Sequence, residues 1–162
     1  MSPKKEINGI LNDYGIVFSE FPSTYPSFPP PLSFWKENNL QRCKNLFFRD
    51  NHGKNHFFVV LDFDSELDID ILKELTGHNT LSFASPGRLK KYLNQEAGEV
   101  SVLGLIYDRD SQVKVFIDKN LENDRLLSFL PGEKSSFFGL TFEELKHFLR
   151  VTNHTFRITK LY

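Results

Sequence analysis

Lys44 and Asn45 are the adjacent side chains of this sequence that are best suited to chemistry. They begin the apolar run Cys43 to Arg49, which has the composition of a strand and leads into an Asp-Asn-His-Gly turn. We therefore expect both side chains where a strand enters a sheet, side by side at a cleft. A lysine there would bind a phosphate or a carboxylate, and an asparagine would both donate and accept hydrogen bonds. The alternative to a binding role is that Lys44 is an ordinary solvent-exposed charge at the end of a strand.

The other reactive residue types argue against several classes of site. No Walker-type or dinucleotide-binding glycine loop is present, which argues against nucleotide hydrolysis and hydride transfer. Cys43 has no histidine at a defined spacing, so we interpret it as an inert, half-buried thiol. Glu143 and Glu144 resemble a catalytic pair, but a helix capping box accounts for Glu144 and solvation for Glu143. No metal-ligand spacing relates the five histidines, which are His52, His56, His78, His147 and His154.

Composition predicts one folded domain. The chain has 162 residues, enough for a single core over residues 1–162, and its 17 phenylalanines supply large apolar surfaces to bury. A formal net charge of -1 argues against a protein that grips long duplexes, so any nucleic-acid contact should be a local basic patch. One cysteine cannot form an internal disulfide, and no signal peptide or membrane span is evident. The cytoplasm is therefore the expected compartment.

The first third of the chain predicts a helix, a strand and a shaped loop. Apolar residues recur at helical spacing over Lys4 to Tyr14, and Gly15 stands in the C-cap position. The stretch Ile16 to Phe21 alternates like a strand. The proline-rich stretch Pro22 to Pro31 cannot continue either element. We expect its aromatic neighbours to pack it onto the core, with a polyproline II ligand as the alternative. These neighbours are Tyr25, Phe28, Phe34 and Trp35.

The middle of the chain predicts a β-hairpin and two short capped helices. Cys43 to Arg49 and His56 to Leu61 are the hairpin strands, and Gly53 lies in their turn. Asp68 caps a helix that stops at Gly77. A strand over Thr80 to Phe83 then leads to a helix that begins at Ser85-Pro86.

The last third predicts more strands and a closing helix. An apolar stretch, Val100 to Tyr107, precedes a strand over Val113 to Ile117. Two further strands are expected around Leu126 and Phe137. A helix opens at the capping box Thr141 to Glu144, and the strand Thr155 to Tyr162 ends the chain. This mixture predicts an α+β fold, with helices packed against a mixed, largely antiparallel sheet.

Four segments, in one order, resemble the YbaK/prolyl-tRNA-synthetase-associated domain family. They are Cys43 to Asp50 (CKNLFFRD), Leu81 to Leu89 (LSFASPGRL), Gly98 to Leu105 (GEVSVLGL) and Val113 to Lys119 (VKVFIDK). Within the family the chain is most similar to the freestanding ProX or PrdX branch of aminoacyl-tRNA deacylases. The resemblance extends from the first predicted helix to the final strand.

The resemblance implies a hydrolase that acts in trans on mischarged tRNA, in the best-known members on alanine attached to proline tRNA. It implies catalytic roles for Lys44, near the terminal adenosine and its phosphate, and for Gly98, which opens a Gly-x-x-x-Pro loop. A ribose hydroxyl of the substrate could assist, so that neither metal nor cofactor is implied. The implied partners are the tRNA acceptor end and prolyl-tRNA synthetase, and an open sheet edge would allow a homodimer. The implied substrate-binding residues are Asn45, Ser82, Ala84, Ser101, Val102, Gly104 and Leu130.

The sequence also departs from the family pattern. Val102 replaces the loop proline, Leu130 replaces a histidine that commonly precedes a late proline, and Cys43 stands where threonine is usual. These changes leave two alternatives open. One is a catalytically weak module that binds tRNA or a synthetase, and the other is a deacylase for another small amino acid, serine or cysteine. We expect Lys44, Asn45, Gly98 and Leu130 to border one small cleft if the resemblance extends to the site.

Overall fold

The computed structural model describes residues 1–162 as one mixed sheet with helices on its faces. The strands are β1 (Ser19–Pro22), β2 (Leu40–Asp50), β3 (His56–Asp62), β4 (Leu81–Phe83), β5 (Val113–Asp118), β6 (Leu126–Phe129), β7 (Ser136–Leu140) and β8 (Phe156–Thr159). The α-helices are α1 (Pro3–Asp13), α2 (Ser33–Glu37), α3 (Ile69–Thr76), α4 (Pro86–Leu93) and α5 (Phe142–Val151). None of the helices is long and apolar enough to cross a membrane.

Strand pairing confirms the predicted α+β class. The sheet runs β1-β7-β6-β2-β3-β5-β8, and β4 pairs with β2 off this path. The pairs β2–β3, β2–β4, β1–β7 and β6–β7 are antiparallel, whereas β2–β6, β3–β5 and β5–β8 are parallel. The sheet is therefore mixed, with antiparallel pairs in a narrow majority.

Local capping signals place the helices close to where the sequence predicts them. Asp68 accepts a hydrogen bond from the first turn of α3, and Gly77 ends that helix at a φ of 73°. Ser85 caps α4 in the same way, with Pro86 as the first helical residue. Thr141 caps α5, but the carboxylate of Glu144 accepts from the N–H of Val17 and does not close a capping box.

Other stretches differ from the predictions. The segment Ile16 to Phe21 becomes a strand only from Ser19, because the N–H of Ile16 still bonds the carbonyl of Leu11 at the end of α1. The apolar stretch Val102–Tyr107 forms a 3-10 helix, and the last strand is confined to β8. The short helix α2 was not predicted. It buries Phe34 and Trp35, as expected for aromatic residues that pack the proline-rich loop down.

The core lies on both faces of the sheet because side chains alternate along β2 and β3. Phe47 and Phe58 point into the main cluster, which includes residues of α1, α4, α5 and the 3-10 helix. Phe48 and Phe57 point into a second cluster beneath α3. A third, smaller cluster lies under α2.

Strand β2 is the element that organises the site. One of its edges pairs with β3 from Cys43 to Arg49. The other edge pairs with β6 only over Leu40 to Arg42, and with β4 only over Phe48 to Asp50. The stretch between these two pairings has no neighbouring strand on that side. This gap in the sheet exposes one edge of β2 at its middle.

Candidate functional site

A cleft of about 470 Å³ opens at the gap beside β2. Four of the predicted site residues, Lys44, Asn45, Gly98 and Leu130, line it together. The volume falls within the range usual for small-molecule sites, so the cleft is larger than the small cavity expected from the sequence. It has room for more than an amino acid.

Lys44 and Asn45 occupy positions different from those expected. They lie in the middle of β2 and not at its start, because three further residues pair with β6. Consecutive strand residues point to opposite faces, so the two side chains diverge around the exposed strand edge. The amide oxygen of Asn45 accepts a hydrogen bond from the N–H of Val102 at 3.0 Å. On the other face, Lys44 Nζ lies 2.6 Å from the carbonyl oxygen of Ser65.

The Lys44 ammonium is only partly occupied by these contacts. Besides the Ser65 carbonyl, its second acceptor is Glu66, at 3.4 Å, and the side chain of Glu66 is 95% exposed. An ammonium group has three donors, which leaves one for a ligand in the cleft. Asn45, in contrast, acts mainly as a brace that ties the loop before the 3-10 helix to β2.

The N-cap and first turn of the 3-10 helix contain further predicted substrate-binding residues, which the structure does not bring to the cleft. Ser101 is fully buried, its N–H donates to Gln95 Oε1 at 2.9 Å, and its hydroxyl caps the 3-10 helix. Val102 is also fully buried. A Cβ at Gly104 would lie 2.5 Å from Gln95 Nε2, so this glycine makes room for the Gln95 side chain.

Two more predicted residues, Ser82 and Ala84, lie outside the cleft lining. Ser82 lines a separate groove of about 430 Å³, which shares Lys44 and Leu46 with the cleft. Ala84 packs against the main core cluster. Gly98, in contrast, does line the cleft. Its backbone φ is 85°, a conformation that residues with a side chain rarely adopt.

Sequence reasoning missed Arg42, a cation of the cleft that lies over two aromatic rings. Its guanidinium lies 4.2 Å from the ring centroid of Trp35 and 3.6 Å from that of Phe63. Burial lowers the pKa of Arg42 from its ordinary value, and the charge of Asp64 opposes this shift. The aromatic partners lie far from Arg42 in the sequence, so no spacing signals the arrangement.

The lining of the cleft has a clear charge pattern. Arg42, Lys44 and Lys134 contribute cations, and no aspartate, glutamate or histidine is among the sixteen lining residues. The cleft is therefore a local basic site on a chain of net charge -1. Leu130 adds an apolar wall, since it packs with Phe34, Trp35 and Phe137.

Cys43 lines the cleft but has the properties of an inert thiol. Burial, followed by the nearby charge of Asp62, raises the pKa of Cys43 to about 12. The thiolate needed for nucleophilic attack is therefore scarce at neutral pH.

Nowhere in residues 1–162 does a group of three or more His, Cys, Asp or Glu side chains have the arrangement to hold a metal ion.

Comparison with known proteins gives matches that cover most of this chain. The family model described as the aminoacyl-tRNA editing domain matches residues 34–148, which span the cleft. The prolyl-tRNA editing protein ProX of Acetoanaerobium sticklandii is 37% identical over 125 residues, or 77% of this chain and 76% of that protein. The prolyl-tRNA synthetase associated domain-containing protein 1 of Mus musculus is 30% identical over 115 residues, or 68% of each chain.

A solved structure has the same fold. It is described provisionally as a trans-editing enzyme for prolyl tRNA synthetase, and it superposes with a TM-score of 0.71 over 99% of this chain and 97% of its own. The two chains share only 17% of their residues, so this likeness supports the architecture alone.

Proposed function

The chain belongs to the aminoacyl-tRNA editing domain family and is a hydrolase of the aminoacyl-tRNA ester, and from this premise we propose that it acts in trans on alanine attached to proline tRNA. The terminal adenosine and its ester would occupy the cleft beside β2. Prolyl-tRNA synthetase, which produces such errors, is the proposed protein partner. A homodimer is compatible with this role and would be detected by the mass of the protein in solution.

The observation that carries this proposal is the charge pattern of the cleft. Three cations and no carboxylate line a cavity of about 470 Å³ with aromatic walls. A nucleotide carries both an anionic phosphate and a flat base, so it complements cations and aromatic rings together. The overall charge of the chain offers no such attraction, which limits the contact to the end of a tRNA and not to its full length.

The lining residues also suggest how the ester is hydrolysed. A water oxygen attacks the ester carbonyl, the bond between the acyl carbon and the ribose oxygen breaks, and that oxygen regains a proton. No histidine or carboxylate lines the cleft to act as a general base. The neighbouring ribose hydroxyl of the substrate can carry the proton instead, while the protein positions the ester and stabilises the oxyanion.

Lys44 and Gly98 have distinct parts in this scheme. The remaining donor of the Lys44 ammonium would hold the terminal nucleotide at the edge of β2. Gly98 carries no side chain, and nothing lies within 4 Å of the place where a Cβ would stand, so the substrate can approach the backbone there. Both residues touch the substrate in this proposal, whereas Asn45 and Ser101 position the loop.

Discrimination between amino acids would depend on size. A site that admits alanine and excludes the larger cognate proline follows the logic of a second sieve. Serine and cysteine are close to alanine in volume, so esters of these amino acids are the alternative substrates of the same cleft.

A deacylation assay tests the proposed substrate and the role of Lys44. Alanyl-, seryl- and cysteinyl-tRNA are incubated with wild type, with Lys44→Ala and with Lys114→Ala, which removes an exposed lysine of β5 far from the cleft lining. We expect wild type and Lys114→Ala to clear alanyl-tRNA at the same rate. Loss of the Lys44 contact should lower kcat/KM about ten- to a hundredfold.

Two results would contradict this proposal. If wild type clears none of the three substrates above the spontaneous rate, the proposed substrates are wrong. If Lys44→Ala is as active as wild type, the role of Lys44 is wrong even though the enzyme is active.

Leu130 favours a second candidate, a weak deacylase that mainly binds tRNA or a synthetase. Its apolar side chain, 8% exposed, takes the place of a polar group that members of the family commonly carry. In this case the protein would bind uncharged and alanylated tRNA equally well and release little alanine. Binding measured beside turnover separates the two candidates.

A further inference from the structure

The guanidinium of Arg42 lies over two aromatic rings, those of Trp35 and Phe63. Trp35 and Phe63 lie 4.2 Å and 3.6 Å from it, and both rings line the cleft with it. A guanidinium that is covered on its faces can still donate from its edges, where its N–H groups are arranged as a fork. The two rings therefore orient the donors of Arg42 without using them.

These donors have no acceptor within the protein. The described contacts of the Arg42 side chain are with the Trp35 and Phe63 rings, and the Asp64 carboxylate acts on its charge without a hydrogen bond or a salt bridge to it. Arg42 is half-buried and lines the cleft, and its nitrogens are not among the fully buried, unpaired side-chain N and O atoms, of which Ser136 Oγ is the only one. The free edge of the guanidinium is consequently accessible from the cleft.

The other two cations of the cleft are less suitable as anion sites. Lys44 Nζ is held 2.6 Å from the Ser65 carbonyl and lies 3.4 Å from Glu66. Lys134 is exposed, and its nearest described partner is the ring of Phe28 at 5.2 Å. Arg42 alone among the three is both held in place and free of a protein acceptor.

We infer that Arg42 is the phosphate anchor of the cleft, and that it binds the phosphodiester linking the last two nucleotides of the substrate through paired hydrogen bonds. A half-buried cation without an acceptor raises the free energy of the empty site, and a bound oxyanion would relieve this cost. The inference rests on the proposed function for the identity of the ligand, because an aminoacyl ester has no free carboxylate and its only nearby anion is a phosphate.

Binding of small ligands tests the inference without any turnover. Adenosine 5′-monophosphate, adenosine and alanine are titrated by calorimetry into wild type, Arg42→Gln, Arg42→Lys and Arg157→Gln. Arg157 provides the control, because it lies on β8 outside the cleft lining and its loss changes the net charge equally. Wild type and Arg157→Gln should bind the monophosphate about ten- to a hundredfold more tightly than adenosine.

The Arg42 variants should lose this preference in a graded way. Arg42→Gln should bind the monophosphate and adenosine equally, and Arg42→Lys should retain part of the preference because it keeps the charge without the fork. If the Gln variant fails to fold, by circular dichroism, the Lys variant still supplies the measurement. An unchanged preference in either folded variant would overturn the inference.

The outcomes also separate this inference from the proposed function. If Arg42 carries the phosphate preference but wild type deacylates no tested tRNA, the anchor stands and the proposed substrate falls. If wild type is an active deacylase and Arg42→Gln has an unchanged KM, the proposed substrate stands and the phosphate anchor falls. If Arg42→Gln weakens alanine but leaves the monophosphate unaffected, Arg42 is a carboxylate site and the phosphate assignment is wrong.

Discussion

The backbone N–H of Val102 determines the role of the Asn45 side chain. Its N–H donates to the amide oxygen of Asn45 at 3.0 Å. The proline that the family carries at this position has no N–H and could not make this bond. In this chain, the start of the 3-10 helix is held by the hydrogen bond that the Val102 N–H donates to Asn45. Asn45 is therefore a positioning residue whose oxygen is already occupied.

Replacement of Asn45 tests this bond. In Asn45→Ala, the buried N–H of Val102 loses its acceptor, and we expect the free energy of unfolding to fall by about 1–3 kcal/mol. Asn45→Asp keeps an oxygen acceptor in place, so its free energy of unfolding should fall by less than that of Asn45→Ala. Urea unfolding of the three proteins measures the differences. Equal losses in both variants would mean that the contact does not support the loop.

Strand β2 shows which elements sequence reasoning could reach. The hairpin with β3 follows from alternating apolar residues and the glycine turn, both of which are local signals. The position of Lys44 within the strand was missed because it depends on the parallel pairing of Leu40 with Leu126, which lies more than eighty residues away. A contact over that separation leaves no periodic pattern near either residue.

The composition of the cleft lining was predicted in part, because it too depends on contacts between distant segments. Lys44, Asn45, Gly98 and Leu130 meet in one cleft, as the family resemblance led us to expect. Arg42 was missed because its environment comes from aromatic residues on two other segments of the chain, Trp35 and Phe63. Helix α2 was also missed, since the prolines before it favoured an irregular loop, although Trp35 on that helix is one wall of the Arg42 site.

The loop before the 3-10 helix offers a test at the level of an element. Gly98 has a φ of 85°, and no atom would obstruct an added Cβ, so any cost of Gly98→Ala comes from the backbone conformation. We expect the free energy of unfolding to fall by about 1 kcal/mol, and kcat/KM to fall with the displaced loop. Thermal unfolding and the deacylation assay measure the two effects.

Gly87→Ala is the matched control for this substitution. Gly87 lies in the first turn of α4, its φ is not positive, and the nearest atom to an added Cβ is Ser85 Oγ at 3.8 Å. Alanine is favoured over glycine in a helix, so this variant should be neutral or more stable. If Gly98→Ala and Gly87→Ala change the free energy of unfolding and kcat/KM equally, the positive φ of Gly98 is not required for stability or activity.

At the scale of the whole molecule, His56 joins parts of the fold that lie far apart in the sequence. It is 1% exposed on β3, its ring stacks on Phe47 and contacts Tyr92, and Arg88 donates to its Nε2 at 3.0 Å. Arg88 also donates to the carbonyl of Gly53 in the hairpin turn. This arrangement needs a neutral imidazole, because a protonated Nε2 could not accept from the guanidinium.

The neutral state of His56 predicts how stability depends on pH. Burial, and then the charge of Arg88, lower the pKa of His56 from 6.5 to about 4. Between these values the unfolded chain binds a proton that the native protein does not, so stability is complete above pH 6.5 and is lost as the pH falls towards 4. A shift of this size corresponds to a loss of about 3 kcal/mol at most.

His56→Gln should remove this contribution, because glutamine does not titrate and still offers Arg88 an oxygen. We expect the unfolding free energy of the variant to vary less between pH 6.5 and pH 4 than that of wild type, whatever its absolute stability. His52→Gln, at an exposed position of the hairpin turn, should retain the wild-type slope. Urea unfolding at a series of pH values measures all three, and parallel curves for wild type and His56→Gln would mean that His56 is not the group responsible.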